Sequence, residues 1–207
     1  MNKFWITPLL LLALAGCAAN PADNKPKASV TDATPMATSV ARVEGKQYAL
    51  TDESKVGFVG SKVTGSHTGE FKKVEGSIVV PDGDITKGQV NINIDMTSVE
   101  ADAAKLTAHL RSPDFFDVEN HPQANFTSTS ITGSGPSFEV TGNLTLRGKT
   151  KEITFPATIA VADAAVMAQA EFSINRNDFD IKYPGKPDDL IRPEVVIKFD
   201  VKANPRS

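Results

Sequence analysis

Three imidazoles, one thiol and a scatter of carboxylates are the groups through which this chain could do chemistry. His67, His109 and His121 are joined by no spacing such as H-x-x-x-H, and Cys17 stands far upstream, so no metal site is expected. Ser66-His67 sets a hydroxyl beside an imidazole in sequence only, whereas a base must meet its nucleophile in space. No G-x-S-x-G elbow, P-loop or dinucleotide fingerprint is present. The carboxylates cluster at Asp114, Asp117 and Glu119, and again at Asp178, Asp180, Asp188 and Asp189. In loops such groups are ordinarily solvated, and Asp114 suits a turn after Ser112-Pro113. The chain is therefore expected not to be an enzyme. A formal net charge of -3 leaves no basic footprint for nucleic acid, and Lys72-Lys73 read as a solvated face.

The thiol has a more specific chemistry. Lys3 supplies a positive start, and Phe4–Leu14 is an apolar run too short for the roughly 20 residues of a membrane span but suited to a signal peptide. It closes on Leu14-Ala15-Gly16-Cys17, which resembles the bacterial lipobox. By that resemblance residues 1–16 are removed and Cys17 becomes a lipidated N-terminus carrying acyl chains such as palmitate. The alternative is a plain signal peptide, cut after an Ala-x-Ala-like site, that leaves a free thiol. Ala18 follows the cysteine, rather than the aspartate that resembles an inner-membrane retention signal, and by that resemblance the periplasmic face of the outer membrane is the expected location.

From Ala18 to Glu44 the chain is rich in Ala, Pro, Thr, Ser, Asn and Asp without a sustained apolar period. Such a stretch buries too little to offset its ordering entropy, so residues 17–44 are expected to be a flexible tether. A coil of that length spans roughly 30 Å r.m.s.. Residues 45–207 form the expected single domain.

The elements of that domain read as strands. Val90, Ile92, Ile94 and Met96 alternate with polar neighbours, a period of two. The pattern recurs at Phe138–Leu146, Ile153–Val161, Val166–Ile174 and Val195–Ala203, and more weakly at Tyr48–Leu50, Lys55–Val63, Gly69–Val80 and Ala124–Ile131. Turn signals at Pro81–Asp84, Gly133–Pro136 and Arg147–Lys149 separate the runs. Helical spacing of Val99, Ala103, Leu106 and Leu110 predicts one helix over Val99–Arg111, ended by Pro113. One-sided alternation implies an antiparallel sheet with a single apolar face, closed as a barrel or stacked as a sandwich. Gly76, Gly142, Ala157, Ala168 and Ala170 place small residues on that face. They either leave a cavity or are filled by bulky neighbours.

Four spaced blocks carry a family resemblance. His109-Leu110-Arg111-Ser112-Pro113-Asp114-Phe115-Phe116-Asp117-Val118, with Pro122 and Phe126 after it, resembles the H-L-R-S-x-D-F-F-D-V…P-x-x-x-F pattern of the YceI family. Gly142–Lys151 resembles its G-x-L-T-x-x-G-x-T-K hairpin, Ile174–Phe179 its I-N-R-x-D-F run, and Ser54, Val56, Phe58 and Gly76 its opening. The resemblance runs from Tyr48 to Ala203. It implies an all-β, lipocalin-like antiparallel barrel, with the short helix between strands, holding a long apolar lipid: a polyisoprenoid, a quinone or a fatty amide. Where the family often has histidine this chain has Lys62, with His67 nearby, which leaves a head-group role there open.

The residues expected to meet the ligand are Phe58, Phe126, Val140, Leu144, Phe155, Ala168, Ala170, Phe172 and Phe199. Phe115 and Phe116 are expected to plug the barrel, with Arg111 paired to Asp114 or Asp117. The expected function is a carrier or reservoir for an isoprenoid or quinone, without a covalent cofactor beyond the lipid on Cys17. The alternative is a non-catalytic module that docks a membrane partner such as a b-type cytochrome.

Overall fold

A computed structural model describes residues 19–33 and 43–206. The signal stretch and Cys17 lie outside the described residues. The elements run β1 Ser29–Asp32, β2 Lys46–Leu50, β3 Lys55–Lys62, β4 Gly65–Phe71, β5 Val74–Val80, β6 Gln89–Asp95, β7 Val99–Ala101 and α1 Ala104–Arg111. They continue with β8 Gln123–Ser134, β9 Ser137–Leu146, β10 Lys149–Val161, β11 Val166–Asn175, β12 Gly185–Lys186, β13 Asp189–Leu190 and β14 Glu194–Pro205.

The long alternating runs become long strands because one face of each is apolar and must be covered. Their pairing closes a ring of eight antiparallel staves. β2 and β3 lie end to end along β14, which meets β2 at Ala203–Pro205 and β3 at Val196–Asp200. β4 with β5, and β6 with β7, are likewise single staves with a break in the middle. β8, β9, β10 and β11 follow, and β11 returns to β14 over ten residue pairs from Val166↔Ala203 to Asn175↔Glu194. Among the described residues, closure leaves no long free edge to recruit another chain. The β9–β10 turn uses Arg147 at φ 49° and Gly148 at φ 70°, the two left-handed residues that a tight hairpin of this twist requires.

The structure departs from two expectations. The helix begins at Ala104, not Val99; Val99 is fully buried in β7, opposite Phe71. Its helical spacing to Ala103 is therefore coincidental. The second departure concerns the expected tether. β10 and β11 pair only from Thr158↔Gln169 to Val161↔Val166 and then diverge. Residues 26–32 fill the resulting seam. Ser173 of β11 donates its N–H to the Pro26 carbonyl (2.8 Å) and accepts from the Ala28 N–H (2.9 Å), while β1 pairs antiparallel with Lys151–Thr154 of β10. Ala22 and Ala28 are buried, Val30 packs on the core, and Lys25 Nζ meets Glu171 Oε2 at 2.7 Å. The segment is polar, but it finds two backbone edges that composition does not reveal. The folded unit thus begins well before Gly45.

Candidate functional site

Inside the ring lies a cavity of about 210 Å³. Its long axis follows the barrel, from Ile85, Ile159, Val166 and Val201 at one end to Leu110, Phe115, Ile181 and Ile191 at the other. Four phenylalanines cross its middle. Phe155 stacks on Phe172 at 4.3 Å between centroids, and Phe199 meets both edge-on at 5.4 and 5.7 Å. Phe126 stands 5.7 Å from Phe155. Offset and edge contacts of this kind add to the area each ring buries.

Of the residues expected to meet a ligand, Phe58, Phe126, Val140, Leu144, Phe155, Ala168, Phe172 and Phe199 line this cavity. Ala170 does not. It stands just past the last β10–β11 pair, opposite Phe199 and packed on the same core, and borders a separate surface cleft of about 950 Å³ that runs across β7, β4, β3, β14, β11, β10 and the start of β9. Gly57, Phe58, Ala157 and Phe199 border both spaces.

The small residues divide by cause. Ala157 and Ala168 face the cavity. Gly142 instead lies beneath the Phe126 ring: a Cβ there would meet Phe126 Cζ and the Thr127 carbonyl oxygen at 2.5 Å. A Cβ on Gly76 would strike the Asn91 carbonyl at 2.3 Å. These glycines permit close approach rather than leaving space.

The helix end of the barrel is closed by a second cluster. Phe58, Val99, Leu110, Phe115 and Ile181 are buried together, with Phe71 and Phe116 packed against them. Arg111 reaches the Val99 carbonyl at 3.0 Å rather than pairing with Asp114 or Asp117. Asp114 instead meets His109 Nε2 at 2.8 Å, and the His109 ring packs edge-on against Phe115 and Tyr183. His67 Nδ1 meets Asp102 at 2.8 Å outside the barrel, and Lys62 is ion-paired with Asp189. Neither lines the cavity.

One charged residue that sequence reasoning left unassigned borders the cavity. Arg176, 7 % exposed, donates Nε to the Arg192 carbonyl (3.1 Å), Nη1 to Ile181 (2.6 Å) and Nη2 to Ile191 (3.2 Å). Burial pushes its pKa down, yet a guanidinium stays charged, and these carbonyls take the place of water. It ties the loop Ile181–Arg192 over the barrel end. The signal was Arg176 within Ile174–Phe179, a charged residue following an inward-facing strand.

Every other lining residue is apolar. A polar head group inside would lose its hydration without gaining hydrogen bonds, at a cost of several kcal/mol, roughly 2–7. The space therefore suits hydrocarbon. Its volume is below the roughly 300–1,000 Å³ typical of small-molecule sites, so a long chain must turn the central phenylalanines aside. Among the described residues no group of three or more His, Cys, Asp or Glu side chains is placed to hold a metal ion.

Residues 48–203 match the YceI-like domain family. The chain is 38 % identical over 120 residues to Protein YceI of Escherichia coli O157:H7, a match covering 55 % of this chain and 63 % of that one. Protein YceI of Salmonella newport is 35 % identical over 117 residues, covering 55 % and 61 %. The chain thus aligns with less than two thirds of these relatives' length. Among solved structures, BcnA of Burkholderia cenocepacia superposes with a TM-score of 0.67 at 28 % identity, over 73 % of this chain and 97 % of that one. A polyisoprenoid binding domain from Saccharophagus degradans, implicated in plant cell wall breakdown, superposes at 0.64 with 17 % identity, over 79 % and 100 %. At that identity it supports the shared fold alone.

Proposed function

Since this chain belongs to the YceI-like domain family and its barrel encloses an apolar cavity, we propose that it carries or stores the hydrocarbon chain of a long lipid. The observation that carries this reading is the cavity wall, in which among the described residues only Arg176 is polar and three of its five N–H donors are turned to backbone carbonyls. Burying a chain there is favourable by about 25 cal/mol per Å², before the costs of binding and of moving the central rings. A polyisoprenoid, the tail of a quinone or a fatty amide chain meets that chemistry, with the head group kept outside. No catalytic residue is required.

In this reading Cys17 carries the membrane anchor, and the barrel faces the periplasm from the outer membrane. Replacement of Cys17 by Ser should abolish incorporation of labelled fatty acid and release the protein from membranes. The carrier reading is tested by purifying the full chain from bacterial membranes, extracting it with organic solvent and weighing the extract by mass spectrometry. About one long-chain lipid per protein is expected; an extract without one rules the carrier out. The surface cleft beside the cavity favours a second reading, a non-catalytic module that docks a membrane protein such as a b-type cytochrome. An empty barrel with such a partner co-purifying would favour it.

A further inference from the structure

The described chain opens at a particular corner of the barrel. Asn20 Oδ1 accepts from the buried Ser61 hydroxyl at 3.3 Å, near the tip of the β3–β4 hairpin. That corner is a double tip. Val63 donates its N–H to the Leu190 carbonyl at 3.2 Å, Thr64 Oγ1 meets Asp189 Oδ1 at 2.9 Å, and Lys62 pairs with Asp189. The β3–β4 hairpin and the small β12–β13 hairpin are thereby locked side by side. Between them they expose Val63 (38 %) and Leu190 (50 %); Met167 is the one other large apolar side chain so exposed among the described residues. Pro184 and Pro187 are exposed beside Leu190, with Lys186 between them. The cavity reaches the same end of the barrel, where Gly60, Arg176 and Ile191 line it.

We propose that this double tip is a membrane foot: Val63 and Leu190 insert into the lipid surface, and the cavity end lined by Gly60 and Ile191 faces the bilayer. The inference rests on the reading of Cys17 as the anchor. Cys17 is three residues from Asn20, so its Cα lies within about 11 Å of the Asn20 Cα even on a fully extended chain. That is roughly a third of the span expected of a 27-residue coil. An anchor so short keeps this corner close to the headgroups. Two locked hairpin tips with apolar side chains and a nearby lysine then meet the interface without ordering anything new. A hydrocarbon chain leaving the bilayer would meet, rather than water, the cover of this end, and would enter the cavity by displacing the Ile181–Arg192 loop and the cluster around Phe58 and Phe115.

The full chain is tested in phospholipid vesicles of phosphatidylethanolamine and phosphatidylglycerol with brominated acyl chains. With Cys17 acylated, Val63→Cys, Leu190→Cys and Met167→Cys each introduce one free thiol at an exposed site for an environment-sensitive fluorophore. The foot predicts loss of fluorescence for labels at 63 and 190, and none at 167. Equal fluorescence at all three positions, with acylation of Cys17 verified by mass, overturns the foot and leaves the anchor standing. Absence of acylation together with release from the vesicles overturns both.

Discussion

Ala28→Pro separates a wall segment from a tether at a single atom. Ala28 is 4 % exposed, and its N–H is donated to the carbonyl of Ser173, itself 2 % exposed. Proline removes that donor and leaves the Ser173 carbonyl facing the seam without a partner. A buried acceptor stripped of its donor costs about 1–3 kcal/mol. In a domain of this size each kcal/mol lowers the melting temperature by about 2–4 °C, so a fall of about 2–12 °C is expected. Circular dichroism of the purified protein measures it. Thr31→Ala, exposed on β1 just after Ala28, should stay within about 0.5 kcal/mol of the parent and serves as the control. An unchanged melting temperature for Ala28→Pro would refute the claim that residues 26–32 close the barrel.

Gly142→Ala should force the Phe126 ring and the Thr127 carbonyl apart and cost about 1–3 kcal/mol, seen as a lowered denaturation midpoint. Ala170 pairs with Phe199 and packs on the core, so Ala170→Trp should crowd that ring and cost about 1–3 kcal/mol; an unchanged melting temperature would show that position 170 opens onto the surface cleft. Hydrogen bonds from Lys198 and Lys25 hold Glu171 below the usual carboxylate range. Its contribution is therefore complete above about pH 4.3 and is lost as pH falls further, so melting temperature should be level from neutral pH and drop on acidification. Glu171→Gln should flatten part of that drop in a pH series.

The strands were legible where one face is buried and the other wet. Val90–Met96 and Phe138–Leu146 show their inward sides by alternation alone, and the structure forms them as β6 and β9 on either side of β8, with Met96 buried just past the end of β6. Val99 misled because one buried apolar residue fits a helix or a strand equally well until its partner, Phe71, is known. Residues 26–32 were illegible for a different reason. Their place depends on a seam between β10 and β11, a property of how two distant strands diverge, and Ser-Val-Thr-Asp carries no trace of it. The small residues were only half legible: Ala168 faces space, whereas Gly142 faces a ring from the next strand, and spacing treats the two alike. Arg111 and Asp114 lie close in sequence, yet the fold turns one to a carbonyl and the other to His109.

Occupation of the barrel by hydrocarbon can be read at Ala168, which faces the cavity and pairs with Ile159 and Val201 across the strands. Native mass spectrometry of the full chain and of its Ala168→Trp variant compares the bound mass in each. One long-chain lipid beyond the acyl anchor is expected on the parent, with its loss from the variant, where the indole takes the chain's space. The same adduct on both proteins, or none on either, would contradict it.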